Sequence, residues 1–466
     1  NMQELARQFD DIIYPKETQF WGSEPNPGID GDARITILLE NLNLGNGGYF
    51  ESVNLFSRKV AESSNEREMI VVSAESLGGL AKSFLTHEFQ HLISFNQKEL
   101  LRNTDEDIWL NELRSEYSIT LAGFNDVFKG SSLDRRLDTF LSDPSDSLTE
   151  WPNVSLDYAH AAMFGEYLVE QFGPQILSET LRTDKSGIDS LNNYFMSKGL
   201  SDRFSGVFGN WLAASYLNNA SFDEDLGYRR RELSDFRISA KQYAPSYSGQ
   251  HQLNQSLKPW EGSWHQLNLS NVPEGKSLRV DFNGTSGFKL WYLDSMGNFG
   301  SLPVGGHIPV TSGLNYITLM PVNESKVSNF DDNEEVSVFS ANIDFIDTPN
   351  KPKDGALIKR QRESETYVVE GIYKRYLRPE IIALYGHLDP LKTVEVDDET
   401  FNSYATANYV RKVNEEKVYA VWPDGTKHWL NITEAQFRSS GRDAGSIFTI
   451  NDLELNYYKT GPDITR

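Results

Sequence analysis

The sequence predicts a multidomain α+β protein: a mixed α/β region over residues 1–240, an antiparallel β-sandwich with its connector over 241–348, and a small duplicated domain over 349–466. Three observations carry this. Strand and helix periodicities alternate in the first half of the chain. Short alternating runs then recur at roughly ten-residue intervals after residue 263. The last part of the chain repeats itself. Length agrees, since 466 residues at about 150 per domain make two or three domains.

Residues 34–40 and 69–73 are short β-branched runs bounded by turn residues, which predicts strands. From Leu80 the pattern changes: Leu80, Phe84, His87, His91 and Phe95 recur at helical spacing. A second helix is predicted from near Asp105, carrying Trp109, Glu112, Glu116 and Ile119 on one side. Further helices fit 158–172, ended by Gly173-Pro174, and 204–217. Residues 218–262 are polar and broken, the pattern of a connector or wrapping segment. Strands are predicted at 277–282, 288–293 and 315–319, as in a sandwich. A linker is predicted over 348–355.

In the tail, residues 366–370 resemble 418–422, and Lys374-Arg-Tyr-Leu377 resembles Lys427-His-Trp-Leu430. Val396, Phe401 and Tyr404 match Ile450, Leu455 and Tyr458 in type and spacing. Repeats over 357–405 and 409–460, stacked side by side, would share one core.

The chain is acidic, with 44 Lys plus Arg against 67 Asp plus Glu, a net charge of −23 and a pI near 4.8. Of this, −22 lies in residues 1–350 and −1 in the remainder. That balance excludes nucleic acid and anionic lipid as main partners. No apolar run approaches the roughly eighteen residues of a membrane span. The count of cysteine is 0, which excludes disulfides, thiolate metal sites and cysteine nucleophiles. The chain opens without a charged-then-apolar leader, so any signal peptide or pro-segment is expected to have been removed.

His87-Glu-Phe-Gln-His91 is an H-E-x-x-H pattern inside a predicted helix. At i and i+4 both imidazoles lie on one face, where they can grip a zinc ion with Glu88 beside a bound water. The alternative is two surface histidines on an amphipathic helix. A catalytic zinc takes three protein ligands and one open position. Glu112, in the next predicted helix, supplies a His₂Glu set. Asp105, Glu106 and Asp107 compete for that place but look like loop or N-cap residues. Glu116, one turn after Glu112, is positioned to accept the outer N–H of a ligand histidine, with Asn111 as a further outer candidate.

These motifs resemble the gluzincin metallopeptidases, and more closely the hyicolysin-type family of secreted bacterial neutral metallopeptidases. The resemblance also runs through Phe9-Asp-Asp-Ile-Ile-Tyr-Pro15, Ile29-Asp-Gly-Asp-Ala-Arg-Ile-Thr-Ile-Leu38, Gly48-Tyr-Phe50, Ser64-Asn-Glu-Arg-Glu-Met69, His87 to Gln97, and Trp109 to Tyr117. It covers roughly residues 5–217. It implies a zincin-like catalytic domain with His87, His91 and Glu112 as ligands and Glu88 as the catalytic residue. Leu113-Arg114 departs from the Gly-Leu type pair expected there, which bears on substrate preference. Gluzincins commonly place a Tyr or His from a downstream helix as oxyanion donor; Tyr158 and His160 are the candidates, with Tyr117 a weaker one.

The resulting expectation is a secreted or cell-surface, zinc-dependent endopeptidase acting on peptide or protein substrates. An aminopeptidase of the same chemistry, or a surface adhesion protein on a peptidase scaffold, are the alternatives. Endopeptidase is preferred because no amine-anchoring Gly-x-Met-Glu-Asn-like segment precedes His87. The tail is a candidate for cell-surface or cell-wall contact. Asp30-Gly-Asp32 and the acidic run 331–335 are candidate Ca²⁺ sites, but neither reproduces an EF-hand loop, and solvated turns are the favoured reading. Arg229-Arg-Arg231 is expected to be salt-bridged surface.

Overall fold

The computed structural model describes residues 2–43, 47–77, 79–199, 203–273, 275–284, 287–347, 352–361, 363–413, 415–433, 436–437 and 442–465. Helices α1 (Met2–Gln8) and α2 (Tyr14–Trp21) flank a π-helical turn and lead into a three-stranded sheet. Its strands are β1 (Thr36–Glu40), β2 (Gly48–Phe50) and β3 (Met69–Ser73), in the order β1-β3-β2. β1 runs parallel and β2 antiparallel to β3. All five residues of β3 are buried, as its unbroken apolar run requires in a central strand.

Helix α3 (Ala81–Phe95) packs on this sheet, and α4 (Ile108–Ala122) returns alongside α3. Leu85, Phe89, Leu92 and Ile93 are fully buried and form the core face of α3. The helical region continues with α5 (Ser132–Ser142), α6 (Ser155–Phe172), α7 (Gln175–Leu181), α8 (Gly187–Ser197) and α9 (Phe204–Leu217). Ser131 Oγ accepts the Asp134 N–H at the start of α5, and Asp157 accepts the Val154 N–H at the start of α6. Gly173, at φ 80°, ends α6. α3, α4, α6 and α9 match the predicted helices; α1, α2, α5, α7 and α8 fall in segments where the sequence reading places no helix.

Residues 218–240 wrap this body, burying Leu226, Tyr228, Leu233 and Phe236 in its core. The rest of the predicted connector is already sandwich: β4 (Lys241–Tyr243) and β5 (His251–Leu257) precede β6 (His265–Asn268), β7 (Lys276–Phe282), β8 (Phe288–Asp294), β9 (Phe299–Leu302), β10 (Gly306–Pro309), β11 (Tyr316–Asn323) and β12 (Ser337–Asp347). Two sheets, β10-β7-β12-β5 and β4-β6-β11-β8-β9, enclose a core of alternating apolar residues. Pairings are antiparallel except β4 with β6. The sandwich also feeds the core of the helical body, because Trp260, Trp264, Trp291, Met320 and Val322 pack into the helical cluster.

Residues 348–351 of the predicted linker lie outside the described residues. Beyond them are β13 (Leu357–Arg360), β14 (Thr366–Glu370), β15 (Tyr373–Leu377), α10 (Pro379–Ile382), β16 (Val394–Val396), α11 (Asp398–Asn402) and β17 (Ala405–Thr406). They are followed by β18 (Tyr409–Lys412), β19 (Val418–Val421), β20 (Thr426–Trp429), β21 (Ile447–Ile450), α12 (Asp452–Tyr457) and β22 (Lys459–Thr460). The two sheets have the orders β16-β13-β14-β15-β17 and β21-β18-β19-β20-β22. Leu357 and Leu377 of the first sheet and Ile382 of α10 share a cluster with Phe448 of the second sheet and Tyr458, which follows α12.

Candidate metal centre

Two helices lying side by side bring the three candidate ligand side chains together. The four-residue spacing puts His87 and His91 on one face of α3, and α4 carries Glu112 to them. The two Nε2 atoms are 3.1 Å apart, and Glu112 Oε2 lies 3.0 Å from that of His87 and 3.3 Å from that of His91. Among the described residues these three form the one group of His, Asp and Glu side chains that converges in this way.

The outer ring nitrogens have their own partners. His87 Nδ1 lies 3.4 Å from Glu116 Oε1, and His91 Nδ1 lies 3.2 Å from Ser115 Oγ. Ser115 donates its hydroxyl proton to Gln90 Oε1 at 2.6 Å, leaving its oxygen to accept from His91. These partners assign a proton to each Nδ1. Two Nε2 lone pairs and a carboxylate oxygen then face one another with no donor among them, which calls for a cation. Zinc held at about 2.0–2.1 Å by N and O ligands places tetrahedral neighbours roughly 3.3 Å apart. The observed separations fit that geometry.

Titration behaviour follows the same logic. Burial works to keep His87 neutral, but Glu112 and Glu116 outweigh it and hold the imidazole above its usual pKa. Burial acts to raise Glu112, yet His91 and His87 hold it well below the usual carboxylate range. Glu116 is likewise opposed by burial and pulled down to about 2 by Arg136 and His87. Arg136 binds it through Nε at 2.9 Å and Nη2 at 2.7 Å.

Glu88 behaves differently. Burial raises its carboxyl, only partly offset by His87 and His91. It sits against the edge strand β2, where the Phe50 N–H donates to it. A Cβ added at Gly48 would lie 3.1 Å from Glu88 Cγ, so that glycine allows the close approach. Beside the candidate ligands opens a cleft of about 310 Å³, lined by Phe50, Ser52, Ser94, Asn111, His91 and Glu112 among others. Asn111 thus borders the cleft; its main-chain oxygen lies 3.2 Å from Ser115 Oγ.

The two oxyanion candidates separate. Tyr158 stands at the site: its ring centroid is 6.1 Å from that of His87, and its hydroxyl donates to Asn153 at 2.7 Å. His160 does not. It is fully buried, packs on Phe140 and Trp211, and turns Nδ1 to the Leu156 carbonyl. An offset of two helical positions decides this, because it puts residues 158 and 160 on opposite faces of α6. Burial lowers the His160 pKa, as for an imidazole in an apolar core.

Arg114 is also corrected. It is fully buried and reaches to Glu106 at 2.6 Å and Thr180 at 3.2 Å rather than to the His87, His91 and Glu112 cluster. Glu106 is engaged by that arginine and by Lys98, Asp107 lies near the Trp109 indole, and Asp105 is exposed. None of the three replaces Glu112. Tyr117 packs in the core. At the calcium candidates, Asp30 and Asp32 accept turn N–H groups and Asp32 pairs with Arg34. Asp331 and Glu334 share Lys326. Arg229 and Arg230 pair with nearby glutamates. Sequence reasoning missed Arg136, Ser115 and Gln90, whose roles arise from contacts between helices and leave no spacing signature.

No family model matches the chain. It is similar to the Neutral metalloprotease ShpI of Staphylococcus hyicus, 26% identical over 219 residues, covering 41% of this chain and 47% of that protein. The match therefore spans about half the length of this relative. Among solved structures are PliG, a periplasmic lysozyme inhibitor of g-type lysozyme, from Salmonella Typhimurium and Aeromonas hydrophila. They cover 23% of this chain and 100% and 96% of their own, at TM-scores of 0.18 and 0.19 and identities of 11% and 10%. Such scores are too low to assign a shared fold.

Proposed function

We propose that the chain is a secreted, zinc-dependent endopeptidase of the hyicolysin type, with a gluzincin-like catalytic region and a duplicated tail. The observation that carries this reading is the donor-free convergence of His87, His91 and Glu112 with Glu88 buried beside it. Similarity to a neutral metalloprotease over 219 residues supports it. The matching strand orders of the two tail sheets support the duplication.

Zinc bound there supplies a Lewis acid and brings the pKa of a bound water towards neutrality. Glu88 takes the proton of the attacking water and returns it to the leaving amine. A carboxyl raised by burial suits both steps, because it holds the proton long enough to deliver it. The outer edge of β2 is unpaired among the described strands, so an extended peptide can add to that edge and lie beside Glu88. Tyr158 is the donor we assign to the developing oxyanion.

Metal analysis paired with a quenched-peptide assay tests this. Wild type and Glu88→Gln should each carry one zinc, and only the variant should lose turnover, by about a thousandfold or more. Glu112→Ala should lose zinc to a chelator far faster than Asp105→Ala. A wild-type chain that takes up no zinc near neutral pH would remove the reading; zinc without cleavage of any peptide would favour a binding protein.

A further inference from the structure

We propose that Arg136 is the positioning residue of this centre, locking the partner of a zinc ligand and the oxyanion tyrosine into one frame. The inference rests on the zinc-peptidase reading above. Arg136 comes from α5, which supplies neither a ligand nor the catalytic glutamate. Its guanidinium grips Glu116 side-on, Nε to one oxygen at 2.9 Å and Nη2 to the other at 2.7 Å. The oxygen that receives Nη2 is Oε1, the same atom that faces His87 Nδ1 at 3.4 Å. A two-point grip removes rotation of the carboxylate about its terminal bond, and so sets the direction from which His87 is held.

The same guanidinium covers a second group. Its central carbon lies 4.8 Å from the Tyr158 ring centroid, and that ring is 6.1 Å from the His87 imidazole. His87, Glu116, Arg136 and Tyr158 therefore close a loop of contacts drawn from α3, α4, α5 and α6. α5 is a firm base for this, with Leu133, Leu137 and Phe140 buried beneath it. Neutralising a buried Glu116 needs only a positive charge. Holding both of its oxygens while lying against an aromatic ring needs a planar fork, which lysine lacks.

Arg136→Lys separates the two roles, since it keeps the charge and removes the fork. Zinc affinity, read by competition with a chromophoric chelator, should weaken by about 10- to 100-fold. In the zinc-saturated enzyme kcat should fall about tenfold or more with KM little changed, while the melting temperature of the zinc-free protein stays at the wild-type value. In a Glu116→Gln background the same substitution should add little further loss of zinc affinity, because its anchor is already gone. Wild-type zinc affinity and kcat in Arg136→Lys would overturn the inference, as would an undiminished zinc-affinity effect in the Glu116→Gln background. Wild-type protein that takes up no zinc overturns the underlying zinc reading as well. Zinc uptake by wild type with an unaffected Arg136→Lys overturns this inference alone.

Discussion

Glu116 is held ionised and Glu88 is pushed towards its neutral form, although both are buried beside the same imidazole. The difference is Arg136, which faces one carboxylate and not the other. Partner charge against burial is the contest that sets both values. At His265 in the sandwich, burial wins. Desolvation, with the Lys241 charge second, lowers this imidazole to about 4. Its nitrogens instead face the Tyr243 and Ser263 hydroxyls at 3.1 and 2.8 Å. In the unfolded chain it returns to its ordinary value of 6.5. Between those values the unfolded state binds the additional proton, so the contribution is complete above 6.5 and is lost as pH falls towards 4. The separation is worth up to about 3 kcal/mol. Urea unfolding at pH 7 and pH 4.5 should therefore show His265→Gln losing less stability on acidification than wild type. Equal losses would remove His265 as the source.

Helix α4 shows how an element is aimed. Arg114 and Glu112 are two residues apart and so point to opposite sides of α4. Arg114 and Lys98 both bind Glu106, and Lys98 also reaches the carbonyls of Thr180, Thr183 and Lys185. This buried network ties the segment after α3 to the α7–α8 turn, so α4 returns with Glu112 facing the histidines. Strand β2 is aimed by a different constraint. A Cβ at Gly48 would meet the Val71 carbonyl at 2.7 Å as well as Glu88. Gly48→Ala should push β2 and Glu88, the proposed general base, apart. A displacement of about 1 Å can cost on the order of a hundredfold in turnover. Metal analysis should find zinc retained, since Glu88 is not a ligand, while kcat/KM falls by about tenfold or more. Unchanged turnover would mean the strand and Glu88 are less tightly engaged than their packing indicates.

For the whole molecule, continuity of the core decides which parts depend on one another. The helical body and one face of the sandwich share a cluster through Trp260, Trp264, Trp291 and Met320, and Trp264 Nε1 donates to the Leu212 carbonyl at 3.0 Å. The tail builds its own clusters, with Arg375 of β15 paired to Glu454 of α12. Removal of residues 352–466 should leave zinc content and peptide turnover within about twofold of the full chain, because no ligand or core residue of the helical body is lost. Removal of 241–466 should give an unfolded or aggregating protein, because it strips several tryptophans from a shared core. Circular dichroism and zinc analysis of the two truncations check this. A folded, zinc-loaded 1–240 fragment would show that the helical core closes without the sandwich.

Much of this was legible in one dimension because it is local. The i,i+4 spacing sets which face two histidines share, alternation marks sandwich strands, and a cysteine count of 0 leaves imidazole and carboxylate as the ligands for zinc. Glu112 and Glu116 were legible too, since one helix turn relates them. His160, Arg114 and Arg136 were not. Which face of α6 meets the metal, where a buried guanidinium finds its carboxylate, and which third helix closes the loop all depend on contacts between segments far apart in the chain. Packing alone settles those, because each side chain follows the face on which its own helix is buried.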